Sequence, residues 1–384
     1  MSTVPLRHGV FLAPYHHVEE NPTMLIERDL ELAKHLDRMG FDELWVGEHH
    51  SGGFETICAP DIFIAAATQL TSRLRFGTGV MTLPYYNPLI VANRIALLDH
   101  MTRGRVSFGF GPGLLMQDAL MMGIEPTKTR DMMLQSIDCI VRLLRGETVT
   151  ETTDWYTLKD ARAHLLPFSQ PLEMAVASAG TPSGGSAAGK YGMAMLCVAA
   201  TTKGGYDVLG SNWKIANDVA AKHGNTMNPA QLRLVAPMHI AETREKAREN
   251  VRHGVQKWAG YYNLSSPNPF EGDGDIVDKL IESKRAVIGT PDDAIEMIER
   301  LRGKQGQFGV ILTQHVDWAD WDQTFKSYEL YARFVMPHFN KSNVNRLSTL
   351  KVMQDQYAEH ASLRQESSAQ AFAKHEREQQ KTGT

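Results

Sequence analysis

The segment LRFGTGVMTLPYYNPLIVANRIALLDHMTRGRVSFGFG, residues 74–111, holds a complete strand–helix–strand unit. The apolar run 74–83 reads as a buried strand. Pro84 and Pro88 then break the chain, and IVANRIALLDHM (90–101) follows at helical period. GRVSFGFG (104–111) is a second strand. Two strands joined through a helix lie parallel, and the crossover between them is right-handed.

The same unit recurs on both sides. HGVFLAP (8–14) precedes a helix over 22–39, in which Met24, Leu25, Leu32, Leu36 and Met39 share one face and Gly40 marks the stop. FDELWVG (41–47) leads to the apolar helix DIFIAAATQL (61–70). After 111 come an amphipathic helix from Arg130 to Leu144 and the strands LEMAVA (172–177), MAMLCVA (193–199), QLRLVAPMHIA (231–241) and FGVILTQ (308–314). Eight strands alternating with helices predict an α/β fold, a closed (β/α)8 TIM barrel. A doubly wound open sheet is the alternative. It needs a polar edge strand, and none of the eight reads as one.

Two stretches interrupt the repeat. The Thr-rich segment 147–170 reads as a hairpin inserted after strand 4, and 255–286, with WAGYYNLSSPNPFEGDGD, as an insertion over one barrel end after strand 7. The polar sequence beyond 340 predicts a tail, helical or disordered. The domain expectation is therefore a barrel over 1–340 and a tail over 341–384.

Composition narrows the function. Among 384 residues, 42% are apolar and 22% charged, and 40 basic against 44 acidic residues leave a formal charge of −4. That balance argues against a nucleic-acid binder. The apolar run GMAMLCVAA (192–200) is far shorter than the ~18 residues of a membrane span. No secretory signal pattern opens the chain. Cys58, Cys139 and Cys197 match neither a zinc spacing nor a disulfide framework, so a reducing, cytoplasmic location is expected.

In such a barrel the chemistry sits where the strands end. Strand 1 runs into Tyr15-His16-His17, and strand 2 into Glu48-His49-His50. The histidines first suggest a metal. Adjacent strand residues point to opposite sides, however, and SAGT and AATT after strands 5 and 6 add no ligand, so no metal site is expected. The turn ASAGTPSGGSAAGKYG (177–192) passes from a strand into a small-residue helix and suits an anion through its backbone N–H groups. Arg130, at the start of its own helix, can pair with the same anion. Leu83, Tyr85, Tyr86, Leu114, Leu115, Met116, Met121 and Met122 make the expected mouth unusually apolar, as a small-molecule site requires.

The blocks WVGEHHS, FGTGVMTLPYYNPLIVANRIALLDH, GRVSFGFGPGLL, AVASAGTPSGG and GTPDDAIEMIERL, spread over nearly the whole chain, resemble the bacterial-luciferase-like flavin monooxygenases, and within them the limonene 1,2-monooxygenase type. The resemblance implies reduced flavin, FMN or FAD, lying across the mouth with O2 as co-substrate. It places the flavin phosphate on Ser178, Ala179, Gly180 and Thr181 beside Arg130. It also places a strand-3 bulge, sometimes with a non-proline cis peptide, against the ring at Thr78, Gly79, Val80 and Met81.

Glu48, His49 and His50 become the catalytic candidates, with a neutral imidazole suited to the role. Tyr15, Leu83, Leu114, Leu115 and Met116 become the substrate-binding candidates. Two departures stand out: Pro112 replaces an often basic residue, and Gly111 replaces the reactive cysteine of the luciferase site, which disfavours light emission but not oxygenation. No NAD(P)H fingerprint is visible, so the resemblance implies a separate reductase that uses NAD(P)H. A homodimer is also expected, with no nucleic-acid or membrane partner. The implied reaction is epoxidation of a monoterpene alkene. A deazaflavin-dependent oxidoreductase, a Baeyer–Villiger oxygenase and a non-catalytic flavin-binding subunit remain open beside it.

Overall fold

A computed structural model describes residues 4–265, 270 and 272–382 of the chain. Its strands are β1 (Arg7–Leu12), β2 (Glu43–Val46), β3 (Arg75–Thr82), β4 (Val106–Gly111), β5 (Val149–Thr152), β6 (Thr157–Ala161), β7 (Met174–Ser178), β8 (Ala194–Cys197), β9 (Leu232–Ile240), β10 (Val287–Gly289) and β11 (Val310–His315). Pairing runs β9–β11–β1–β2–β3–β4–β7–β8, all parallel, and β8 returns to β9 to close an eight-stranded barrel. These are the eight strands expected from the sequence. The segment 147–170 holds the antiparallel hairpin β5–β6. One strand escaped the sequence reading: β10, three residues long, adds itself to the outer part of β9.

The surrounding helices are α1 (Pro22–Met39), α2 (Pro60–Gln69), α3 (Pro88–Thr102), α4 (Met116–Met121), α5 (Thr129–Leu144), α6 (Ser183–Tyr191), α7 (Lys203–Lys222), α8 (Arg244–Val251), α9 (Val255–Ser265), α10 (Ile276–Glu282), α11 (Pro291–Gln305) and α12 (Trp321–Leu330). α1 and α3 begin at Asn21 and Asn87, whose side chains accept from the N–H two residues on, with proline in the next position. α1 ends on Gly40 at φ 84°, as the sequence predicts. α13 (Met336–Asn340), α14 (Val344–Asp355) and α15 (Tyr357–Thr382) follow. The chain divides into two compact units, 1–336 and 337–384. Among the described residues no helix is long and apolar enough to cross a membrane.

The barrel interior is filled by side chains, and its floor is ionic. Arg233 on β9 is fully buried and reaches Glu43 on β2 through Nε (2.7 Å) and Nη2 (3.1 Å), and Glu173 through Nη2 (2.6 Å). Arg7 adds a second cation 2.7 Å from Glu43. Burial pushes the Glu43 carboxyl up, but Arg233 and then Arg7 outweigh it and hold it at about 2.

Trp45 forms the next layer. Its indole N–H donates to Glu43 (2.7 Å), and the Arg233 guanidinium lies 4.7 Å from its ring centroid. The strands facing Trp45 carry glycine. A Cβ at Gly77 would stand 2.3 Å from Trp45 Cδ2, and one at Gly109 would stand 2.2 Å from the Thr78 carbonyl and 2.8 Å from the indole. This is the physical reason for the Gly-rich FGTG and FGFG strands.

Gly77→Ala should therefore destabilise the fold by about 1–3 kcal/mol, the usual cost of overpacking a close-packed core. Chemical denaturation followed by circular dichroism checks this; an unchanged midpoint would contradict the packing described.

Candidate active site

At the opposite end the strands run out into loops tied together by buried carboxylates. His16, just past β1, lies between Asp29 of α1 (Nε2, 3.0 Å) and Asp317 beyond β11 (Nδ1, 2.8 Å). Burial opposes its charge, but the two carboxylates outweigh burial and raise the imidazole to about 10. His16 is thus a charged strut that fixes where β1 and β11 end.

Glu48 does the same for β2 and β3. It is buried and accepts from the Thr82 N–H (3.2 Å), the Tyr86 hydroxyl (3.1 Å) and His50 Nε2 (3.0 Å). As a carboxylate it only accepts, so Nε2 carries the His50 proton and Nδ1 keeps a lone pair. No protein group among the described residues pairs with that Nδ1. Tyr85 meets the His50 ring edge-on at 5.6 Å.

His49 is committed elsewhere. Its Nδ1 lies 3.1 Å from Asp118 and its Nε2 3.7 Å from Glu55, which in turn accepts from the Tyr261 hydroxyl (2.8 Å). Burial opposes its charge, but Glu55 and then Asp118 outweigh it, and its pKa is raised. Both ring nitrogens of His49 face carboxylates, whereas His50 has one nitrogen to spare.

Asp118 was missed in the sequence. It lies in LLMQDALMMG, read as an apolar loop but containing α4. Asp118 and Ala119 face inward while Leu114, Met116, Leu120 and Met121 stay exposed. Besides His49, Asp118 accepts from the His50 N–H (3.2 Å) and the Ser51 hydroxyl (2.5 Å). A carboxylate at the buried position of so greasy a helix is the signal that could have found it.

β3 bulges between Thr78 and Met81, and the Gly79–Val80 peptide is cis. The Thr78 hydroxyl bridges the gap, donating to the Gly109 carbonyl and accepting from the Gly109 N–H, both at 2.9 Å. Gly79 and Val80 are half-buried, whereas the side chains of Thr78 and Met81 are sealed away. Tyr15 and Leu83 are likewise buried, so of the substrate-binding candidates Leu114 and Met116 are exposed and Leu115 half-exposed.

The Gly-rich turn has an unexpected support. Asn212 of α7 donates to Ser178 Oγ (3.4 Å) and to the carbonyls of Ala179 (3.3 Å) and Thr181 (3.2 Å), pinning the turn from behind. Ala179, Gly180 and Thr181 are exposed and Ser178 is buried. No side chain caps α6, and a Cβ at Gly180 would meet nothing within 4 Å. Arg130 is exposed and has no partner among the described residues.

The Tyr191 hydroxyl at the end of α6 donates to Asp138 of α5 (3.5 Å). Arg130 and Ser183 each lie eight residues, about 12 Å, toward the mouth from that contact. A free guanidinium and an open helix N-terminus are a donor set whose chemistry fits a phosphate. A cavity of about 770 Å³ also exists, but it is lined by Arg75, Val106, Leu166, Glu173 and Met193 at the starts of the strands, away from this constellation.

Residues 6–306 match the family model for luciferase-like monooxygenases. The chain belongs to that family. It is 47% identical over 335 residues to limonene 1,2-monooxygenase from Rhodococcus erythropolis, covering 86% of each chain. It is 41% identical to 4-hydroxyprotoasukamycin monooxygenase from Streptomyces nodosus subsp. asukaensis, covering 87% of this chain and 92% of that one. The fold is also that of the oxygenating constituent of 3,6-diketocamphane monooxygenase from Pseudomonas putida, solved with FMN. There the TM-score is 0.72 at 23% identity, over 87% of this chain and 98% of the other. This luciferase-like chain is thus a flavin-dependent monooxygenase.

Because His16 is raised from 6.5 to about 10, its contribution to stability is complete below pH 6.5 and is lost as the pH rises through about 10. The gap in thermal midpoint between the wild type and His16→Asn should be widest at pH 6 and close above pH 10. A gap independent of pH would show that the imidazole is neutral.

Proposed function

We propose that this monooxygenase inserts one oxygen atom into a small apolar substrate, and that the natural reaction is epoxidation of a monoterpene alkene of the limonene kind. The 47% identity to limonene 1,2-monooxygenase carries the substrate reading. Bound reduced flavin supplies the electrons that activate O2. The protein's own part is to hold and shield. Arg130, the α6 N-terminus and the exposed backbone of residues 179–181 take the phosphate, and FMN is the form they accommodate in the simplest way. Gly79 and Val80 on the β3 bulge lie against the ring.

His50, with Nε2–H held by Glu48, offers its Nδ1 lone pair to accept a proton at the reacting centre. Asp118 clamps α4 so that Leu114, Leu115 and Met116 overhang the mouth and keep water out. Electrons come from NAD(P)H through a separate reductase. A second copy of the chain covers the outer face of α2 and α3, where Ile62, Ile90, Leu97 and Met101 are exposed.

The test is to incubate the protein with a flavin reductase, NADH, FMN or FAD, and a panel of monoterpenes in air. The expected product is heavier than limonene by one oxygen atom and carries an epoxide. Turnover of cyclic ketones to lactones alone would favour the Baeyer–Villiger alternative. No oxygenated product from any member would refute the proposal.

Arg130→Ala should weaken reduced-flavin affinity by about 10–100-fold, the equivalent of one hydrogen-bonded charge pair of ~1.5–3 kcal/mol. Anaerobic titration measures this. Unaltered affinity would remove Arg130 from the phosphate site.

A further inference from the structure

Between the ends of β9 and β11 lies a small cavity that the mouth chemistry does not use. Its volume is about 10 Å³, enough for one water-sized sphere. His315, Trp318, Ser327 and Tyr328 are on its wall. His315 and Trp318 are each only 2% exposed, yet His315 Nε2 and Trp318 Nε1 reach no protein partner. A buried indole N–H is costly to leave unpaired.

The surrounding hydrogen bonds fix what each group presents. His315 Nδ1 and the Tyr328 hydroxyl lie 3.0 Å apart and satisfy each other. That contact occupies Nδ1 and leaves Nε2 to face the cavity. Trp318 Nε1–H is only a donor. Ser327 Oγ already accepts from the Ile240 N–H (2.9 Å) and retains its own proton to give. The cavity thus faces the Trp318 indole N–H, the Ser327 hydroxyl and His315 Nε2.

We propose that this cavity is a binding site for a single water molecule, hydrogen-bonded to Trp318 Nε1–H, the Ser327 hydroxyl and His315 Nε2. Three hydrogen bonds are what a buried water usually makes. An apolar guest such as O2 or xenon would leave both nitrogens unpaired. The water joins β9, through Ser327 and Ile240, to β11 and to the loop that carries Trp318. Trp318 packs edge-on against Trp258 of α9 at 5.0 Å, so the water also sets the seat of α9.

Two measurements on the full wild-type chain test the site. A crystal structure at near-atomic resolution should show one spherical density peak within hydrogen-bond distance of His315 Nε2 and Trp318 Nε1. In solution, the Trp318 indole N–H should show a water cross-peak with the sign of a long-lived bound molecule, identified by its loss in Trp318→Phe. The proposal is overturned if the cavity is clear of density with both nitrogens in place. It also fails if His315 has turned to pair Nε2 with a protein group, or if xenon enters under pressure.

Discussion

The ion cluster on the barrel floor constrains everything above it. Arg233 enters a fully buried position only because Glu43 and Glu173 approach it from different strands. A lone guanidinium there would be untenable. The pairing fixes β2, β7 and β9 in one layer, and the planar guanidinium gives Trp45 a flat surface to lie on. Trp45 then forces glycine onto β3 and β4. The bulge at Thr78–Met81 begins immediately above that level, where the Thr78 hydroxyl stands in for ladder hydrogen bonds. Floor, indole, glycines and bulge form one stack, which ends where the flavin ring is proposed to lie.

The mouth follows the same logic with histidine as the cation. His16 between Asp29 and Asp317, and His49 between Asp118 and Glu55, each spend both ring nitrogens on structure. Glu48 occupies only one nitrogen of His50. His16, His49 and His50 thus have different duties, set by how many carboxylates reach each ring.

Much of this was legible in advance. The eight strands follow from apolar period and helix punctuation, because buried parallel strands and amphipathic helices leave strong local patterns. The β3 bulge could be placed from family motifs in FGTGV. The hairpin β5–β6 showed in its Thr-rich alternation. What was hidden depends on distance. Nothing near Asp118 says that it meets His49, His50 and Ser51 nearly seventy residues earlier in the chain. Asn212 sits in an ordinary helical stretch, and its role exists only because α7 backs the α6 turn. β10 is too short to carry a period. Tyr15 and Leu83 read as pocket lining because they are apolar and follow strands; their burial comes from the aromatic stack of Tyr15 with Phe54 and Tyr261 and, for Leu83, from its short turn packing on α5.

The contact between α6 and α7 has a consequence for how such a protein diverges. A Cβ at Gly185 would stand 2.6 Å from the Asn212 carbonyl, and one at Gly189 would stand 2.3 Å from the Ala216 carbonyl. The two backbones touch with no side chain between them, and the Asn212 side chain holds the turn that the phosphate would rest on. A lineage that remodels this turn for a different cofactor has to rewrite α7 in the same step, although α7 itself need never meet the cofactor. Drift in one helix is thereby tethered to drift in the other.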